Sequence, residues 1–230
     1  MGEYYSWVNV DKKEYLQPGD FDLGQKSIES TWERNKLLQA LYELLSTDWK
    51  GCHILFLGDE CNAVDDETNE VIKTILKHKE ESNCSGYLFD TVYDTYRNVS
   101  CLFKEAEDEV RNEIRIYLHM IAEEDDDNDD RYIPPNEYGI DTSYPYNGLF
   151  LREGKSFKYT INRTKKVFYS LEETKFFDRD GTEIEHIDPL PVLMRYGRSR
   201  ETGVWLGDII DVSDTLPDDC TLLKEILLDW

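Results

Sequence analysis

The stretch from residue 49 to residue 60 constrains the fold of this chain more than any other. It reads Trp-Lys-Gly-Cys-His-Ile-Leu-Phe-Leu-Gly-Asp-Glu, with an unbroken apolar run from Ile54 to Leu57. A short apolar run that follows an amphipathic helix is typical of a strand buried on both faces. The sequence therefore predicts a buried strand here, closed by a turn at Gly58-Asp59-Glu60.

A related motif occurs near the other end of the chain, at Trp205-x-Gly207-Asp208-x-Ile210. Both motifs share the pattern Trp-x-Gly-x-x-Ile. Glycine within a strand permits the close approach of another backbone. We therefore expect the two motifs to form adjacent strands, with each glycine allowing the tryptophan ring to lie across a neighbouring backbone.

Apolar residues at helical spacing predict three helices, at residues 27–47, 68–82 and 102–123. Ser30 and Glu33 have the spacing of a capping box at the start of the first helix. Residues 4–15 have the pattern of a β-hairpin. Residues 87–99 fit either a helix or a strand, because helical spacing is combined there with aromatic and β-branched residues.

Short strands are predicted to dominate the second half of the chain. Asp180-Gly181 predicts a hairpin turn. Residues 192–196 fit either a strand or a short helix, and residues 220–230 have the spacing of a short helix. The predicted strands are residues 149–151, 157–161, 167–171, 175–177, 182–185 and 204–212.

The fold class expected from these patterns is α+β, with a helix-rich N-terminal half and a β-rich C-terminal half that share one mixed or antiparallel sheet. We expect residues 1–230 to form a single domain. An acidic run at residues 123–130 is followed by Pro134-Pro135. This composition favours a solvated loop, because its acids repel one another and cannot be buried. A possible subdivision is therefore residues 1–122, an acidic loop at 123–135, and residues 136–230.

The charge balance restricts the partners of the chain. Lys and Arg number 26, Asp and Glu number 49, and the formal net charge is −23. Such a field repels nucleic-acid phosphates and anionic membrane surfaces, so neither is expected as a direct partner. It would speed association with a basic protein. The alternative is that the charge only maintains solubility.

Cysteine, histidine and the known sequence motifs indicate no cofactor chemistry. The five cysteines have no CxxC spacing, so we expect reduced thiols and neither disulfides nor a zinc site. The N-terminus lacks the pattern of a signal peptide, which favours a cytoplasmic location. Asp125, Asp127 and Asp129 match EF-hand positions, but Asp130 replaces the required glycine and Asn136 the required glutamate. No metal site and no cofactor are predicted.

Asp59 and Glu60 are the candidate catalytic residues. Ligands bind beyond the carboxyl ends of strands in open α/β sheets, where these two acids would lie. They could instead favour the start of the following helix through its dipole. His53 cannot join them at one ion, because a straight strand separates it from Asp59 by roughly 20 Å.

Aromatic side chains with a polar tip suit binding surfaces as well as cores. This property and the two Trp-Gly motifs define a broader set of candidate binding residues. The set is Trp7, Trp49, Asp59, Glu60, Trp205 and Asp208.

Three motifs carry a resemblance to a known group of proteins. They are Tyr4-Tyr5-Ser6-Trp7-Val8-Asn9, Trp49-x-Gly51-x-x-Ile54-x-Phe56-x-Gly58-Asp59-Glu60, and the motif at Trp205. Together they resemble an uncharacterised group of acidic bacterial proteins, and the resemblance covers most of the chain. It implies a bacterial or phage source, and it implies no activity, substrate or site.

Three functions are compatible with these observations. The first is a protein-binding module that sequesters or neutralises a basic partner, as immunity and inhibitor proteins do. The second is an enzyme that uses Asp59 and Glu60, with or without a divalent metal. The third is a nucleic-acid mimic that presents ordered carboxylates to a nucleic-acid-binding groove. The charge, the aromatic content and the missing catalytic motifs favour the first.

Overall fold

Short strands and four helices make up the described part of the chain. The computed structural model describes residues 3–21, 23–63, 67–104, 152–198 and 201–229. Its helices are α1 (Lys36–Ser46), α2 (Glu70–Ser82), α3 (Leu88–Thr95) and α4 (Leu190–Leu193). Its strands are β1 (Tyr5–Asn9), β2 (Glu14–Leu16), β3 (Ile54–Gly58), β4 (Arg97–Asn98), β5 (Tyr159–Asn162), β6 (Val167–Tyr169), β7 (Lys175–Phe177), β8 (Glu183–Ile184), β9 (Arg195–Tyr196), β10 (Ile210–Ser213), β11 (Thr221–Leu222) and β12 (Glu225–Leu227).

The largest sheet of the described residues has five strands in the order β4-β2-β1-β3-β9. β1 and β2 form the predicted hairpin, and β1 also pairs antiparallel with β3, opposing Trp7 to Phe56. On its other side β3 pairs parallel with β9. The strand therefore lies inside the sheet, which confirms the prediction that it is buried.

Side-chain alternation along β3 divides the core into two parts. Ile54 and Phe56 face one side and Leu55 and Leu57 the other, and all four are 0% exposed. The first pair packs in a cluster with α1 and with residues of the second half of the chain. The second pair packs in a cluster with α2 and α3. Both faces of the sheet are therefore covered.

Two smaller sheets come from the second half of the chain. One has the order β10-β5-β6-β11 and the other the order β12-β7-β8. β7 and β8 form the predicted hairpin, in which Gly181 has φ +78°. The last strands, β11 and β12, pair parallel with β6 and β7. The chain end is thus built into two sheets.

The chain is α+β, but the predicted arrangement of its helices and strands is wrong. The described strands form three sheets instead of one shared sheet. The first half contributes β1–β4, four of the five strands of the largest sheet, so helix and strand are not segregated by halves. The second-half strands have two to four residues each, and all of them except β9 pair with one another outside the large sheet.

Local element predictions had mixed outcomes. α2 lies within the predicted residues 68–82, whereas α1 begins only at Lys36, with Asn35 as its N-cap in place of Ser30. Residues 87–99 contain both α3 and the short strand β4, and residues 192–196 contain the end of α4 and β9. The helix predicted at residues 220–230 is wrong, because strand pairing of β11 and β12 prevails over its apolar spacing. The helix predicted at 102–123 and the acidic loop fall largely or wholly outside the described residues.

The expected pairing of the two Trp-Gly motifs is also wrong. Trp49 and Trp205 lie in turns and not in strands. Gly51 and Gly207 adopt φ +74° and +84°, so each glycine allows a left-handed turn. The strands that follow, β3 and β10, belong to different sheets. A single antiparallel bridge between His53 and Ile209 joins the two segments.

Candidate functional site

Asp59, the first acid of the turn after β3, forms hydrogen bonds with the backbone of Tyr4. The Tyr4 N–H donates to Asp59 Oδ1 at 2.9 Å, and the Asp59 N–H donates to the Tyr4 carbonyl at 2.8 Å. Asp59 therefore extends the pairing of β1 with β3 by one residue. Glu60 is exposed at the next position. Of the two candidate catalytic acids, Glu60 is the one that faces solvent.

Behind this turn lies a buried acid that the sequence patterns did not indicate. Glu3 is 7% exposed and accepts hydrogen bonds from the Tyr5 hydroxyl at 2.7 Å and from the Arg198 N–H at 2.7 Å. A Cβ added at Gly58 would lie 2.2 Å from Glu3 Oε1. The glycine of the motif therefore makes room for this carboxylate, which joins the start of the chain to the segment after β9.

A cleft of about 420 Å³ opens at this end of the sheet. Glu60, Tyr87, Tyr196 and Arg198 are among its lining residues. The Tyr196 hydroxyl donates to Glu67 Oε2 at 3.0 Å, which orders one wall. The cleft places the exposed Glu60 beside the first residues of the α3 region.

The solvent side of α3 combines tyrosines and acids. Leu88, Thr91 and Val92 are buried, whereas Tyr93 is 57% exposed and Tyr87 38% exposed. At about 3.6 residues per turn, the exposed Tyr87, Asp90, Tyr93 and Asp94 fall on one side of the helix. We define the α3 face as these four residues together with Glu60.

The three candidate tryptophans lie in the core. Trp7 and Trp49 are 0% exposed and Trp205 is 3% exposed. The Trp49 Nε1 donates to Glu14 Oε2 at 2.7 Å. This burial gives the rings a packing role and leaves them without a surface on which to meet a partner.

Asp208 is also buried and already has two partners. It is 6% exposed and accepts a hydrogen bond from Asn162 Nδ2 at 2.7 Å. Lys165 forms an ion pair with the same carboxylate oxygen. These contacts attach the turn before β10 to the end of β5.

Histidine, cysteine and acidic side chains are the usual protein ligands of metal ions. Within the described ranges, no group of three or more such side chains could hold a metal ion. His53 lies 3.0 Å from Asp11 Oδ2, so its partner is the hairpin turn between β1 and β2 and not Asp59. The acidic run with partial EF-hand spacing lies outside the described residues.

A second cleft, of about 270 Å³, has a buried acid at its floor. Asp188 is 1% exposed and Tyr42 6% exposed, and both line the cleft. Asp188 Oδ1 accepts from the Tyr169 hydroxyl at 2.6 Å and from the Leu190 N–H at 3.0 Å. The Tyr42 hydroxyl donates to Asp188 Oδ2.

Burial has the largest effect on the pKa values of Asp188, Tyr42 and Tyr169. It raises the pKa of Asp188, while hydrogen bonds from Tyr169, Tyr42 and the Leu190 N–H act in the opposite direction. Burial and then the charge of Asp188 raise the pKa of Tyr42 and of Tyr169 well above the ordinary value. Both phenols therefore remain protonated and can donate. The sequence signal that could have indicated this buried site is an acid within the apolar segment Ile187-Asp188-Pro189-Leu190.

Comparison with known proteins assigns neither a family nor a function to this chain. No family model, no curated protein and no solved structure matches this chain significantly. Among the described residues, moreover, no helix has the length and apolar content needed to cross a bilayer. The resemblance to acidic bacterial proteins remains a prediction.

Proposed function

We propose that this chain is a protein-binding module that sequesters or neutralises a basic partner protein, and that it does so through the α3 face. The observation that carries the proposal is the exposed pair Tyr87 and Tyr93 beside the acids Asp90 and Asp94. Tyrosine is enriched among the residues that dominate the binding energy of protein interfaces. Carboxylates around it select arginine or lysine on the partner.

The charge of the whole chain supports the same choice of partner. A formal net charge of −23 accelerates the approach of a basic protein over long distances. The cleft between Glu60 and Tyr87 offers a recess beside the helix. The Glu60 carboxylate and the Tyr87 ring attract cations, and Arg198 on the same lining opposes them, so we expect a cationic side chain to approach from the α3 side of the cleft.

The test compares two variants of equal charge. The first, Glu60→Gln with Asp94→Asn, removes two charges from the α3 face. Asp90 is left in place because its carboxylate accepts from the Tyr87 N–H at 2.6 Å and so holds the start of α3. The control, Asp48→Asn with Asp218→Asn, removes two exposed charges from turns elsewhere in the chain. A second comparison tests the aromatic contribution. Tyr93→Ala alters the α3 face, and Trp32→Ala, at a side chain that is 60% exposed, is its control.

Each variant is immobilised and exposed to lysate of the source cells at low and high salt. A candidate partner is then purified, and its affinity for each variant is measured. We expect a basic protein whose affinity falls about tenfold or more with Tyr93→Ala and with the α3 charge variant, and changes little with the controls. High salt should weaken the complex, since it screens exposed charges. Equal losses with both charge variants would reject the α3 face, and salt-independent binding would reject the charge argument.

Competition distinguishes this proposal from the nucleic-acid mimic. If duplex nucleic acid and this chain exclude each other from the purified partner, the carboxylates occupy a nucleic-acid groove. Simultaneous binding of both identifies a separate protein interface, as proposed here.

A further inference from the structure

The cleft above Asp188 has the composition of a small-molecule site. Its walls include the apolar side chains Leu38, Phe157 and Leu171, and its floor is formed by Tyr42 and Asp188. An apolar recess with a few convergent polar groups is the usual form of such a site. Its volume of about 270 Å³ suits a ligand of one ring and a short chain.

The Asp188 carboxylate is buried without a cation. No ion pair to Asp188 occurs among the residues that the structure describes, and its hydrogen bonds come from two phenols and one backbone N–H. Placing a carboxylate in the interior without a positive partner costs free energy that a bound cation would offset. A carboxylate offers about four acceptor positions, of which three are used, and the open position is on Oδ2.

Tyr42 presents a second acceptor at the floor. Its hydroxyl proton is directed to Asp188 Oδ2, so its oxygen acts only as an acceptor for other groups. The Thr160 hydroxyl donates to that oxygen at 3.4 Å, and the Tyr169 hydroxyl lies 3.3 Å from it. Both distances are long for O–H donors. One acceptor position on Asp188 Oδ2 and the Tyr42 oxygen therefore have no short donor among the described residues, and an ammonium group would supply one to each.

Charges at the rim leave the cleft slightly acidic. Arg34 and Lys158 are balanced there by Glu172 and Asp214, so Asp188 is the excess charge of the lining. Lys158 is also drawn outward, since its Nζ lies 5.3 Å from the Tyr159 ring centroid and 3.9 Å from Glu173. We propose that the cleft binds a small primary ammonium compound, with the ammonium group on Asp188 and Tyr42 and an apolar body between Leu38, Phe157 and Leu171.

The experiment uses the full chain and three test compounds that share a phenethyl group. Phenethylamine carries the ammonium group, phenethyl alcohol replaces it by a neutral hydroxyl, and hydrocinnamate replaces it by a carboxylate. Titration calorimetry at neutral pH should show phenethylamine binding about tenfold or more tightly than the alcohol, because a charge-assisted hydrogen bond replaces a neutral one. Hydrocinnamate should bind most weakly.

Two variants locate the binding in the cleft. Asp188→Asn removes the charge with little change of shape and should reduce phenethylamine affinity about tenfold or more. Ser156→Trp fills the rim without altering the hydrogen bonds of Asp188 and should also remove binding, which keeps the test valid if Asp188→Asn does not fold. Ser85→Trp, at an exposed serine outside the cleft, is the control.

Equal affinity for phenethylamine and phenethyl alcohol would overturn the proposal. So would binding of phenethylamine that survives Ser156→Trp, since the ligand would then lie elsewhere on this acidic chain. Tighter binding of hydrocinnamate would show that the cleft selects an anion, through Arg34 or Lys158 in its lining, and would also overturn it.

Discussion

At the scale of single residues, two tryptophans that are equally buried differ in the hydrogen bonds of their indole N–H groups. Trp7 and Trp49 are both 0% exposed. The Trp49 indole donates to Glu14 Oε2 at 2.7 Å, whereas the Trp7 Nε1 has no partner among the described residues. Removing one indole therefore removes a hydrogen bond, and removing the other does not.

Replacement of each ring by phenylalanine tests this difference. Both substitutions remove similar apolar area, but only Trp49→Phe leaves the half-paired carboxylate of a buried Glu14 behind. We expect Trp49→Phe to lower the free energy of unfolding by about 1–3 kcal/mol more than Trp7→Phe. Urea unfolding of both variants measures the difference, and equal losses would contradict the assigned role of Glu14.

Cys61 links stability to alkaline pH. Burial, followed by the charge of Glu3, raises the pKa of its thiol from the ordinary 9.0 to about 12. Between these two pKa values the folded chain holds a proton that the unfolded chain releases. The contribution of Cys61 to the free energy of unfolding is therefore fully present below pH 9 and is lost as the pH rises towards 12. Its contribution to this slope should be about 1.4 kcal/mol per pH unit.

Cys61→Ala should flatten the loss of unfolding free energy between pH 9 and 12, as measured by denaturant titrations at several pH values. Alkylation gives a second measurement, since the exposed Cys101 should react in the folded chain and Cys61 only after unfolding. Cys101→Ala is the matched control and should leave the pH slope unchanged. A slope that is identical in Cys61→Ala and the unmodified chain would show that the thiol is not responsible.

At the scale of elements, the residue that begins α2 has two separate tasks. Asn69 Oδ1 accepts from the Val71 N–H at 3.0 Å and thereby caps the helix. Its Nδ2 donates to the Leu206 carbonyl at 3.1 Å. One side chain thus stabilises the helix start and attaches it to the turn before β10.

Two substitutions at this position distinguish the tasks. Asn69→Ala removes both and should cost about 1–2 kcal/mol of unfolding free energy. Asn69→Asp retains the cap, gains from the helix dipole and loses only the donor to Leu206, so it should cost less. Thermal unfolding gives the order of stability, with the exposed Ser82→Ala at the other end of α2 as the control. An aspartate variant no more stable than the alanine variant would exclude capping as the main contribution.

At the scale of the whole molecule, one buried arginine joins segments that are far apart in the sequence. Arg195 on β9 is 1% exposed. Its Nη1 donates to Ser27 Oγ at 3.3 Å, and its Nη2 donates to the carbonyls of Asp229 at 2.9 Å and Glu201 at 3.2 Å. The start of the chain, its end and the segment after β9 therefore meet at one guanidinium group.

We expect Arg195→Met to lower the free energy of unfolding by about 3 kcal/mol or more, because it leaves buried acceptors without donors. Arg195→Lys should restore little, since a single ammonium group cannot reproduce the planar set of donors. Arg198→Met, at an exposed arginine three residues later, should change stability by less than about 0.5 kcal/mol. Chemical denaturation compares the three variants, and a lysine variant as stable as the original chain would contradict the geometric argument.

Local patterns determined several elements without any knowledge of the fold. The apolar run at Ile54–Leu57 has no polar face, so it must be buried on both sides as a strand. Asp180-Gly181 forms its turn because glycine accepts a positive φ at little cost. The apolar face of α2 likewise follows from the spacing of its own residues. In each case the physical cause lies within a few positions of the residue concerned.

Tertiary structure alone decided the pairing of strands distant in the sequence and the buried polar sites. The last apolar residues have helical spacing, yet they form β11 and β12 because β6 and β7 offer edges with which to pair. Asp188 meets Tyr42 and Tyr169 across separations of 146 and 19 residues. Such contacts depend on partners distant in the sequence, and their free energy is realised only when the backbone has already brought those partners together.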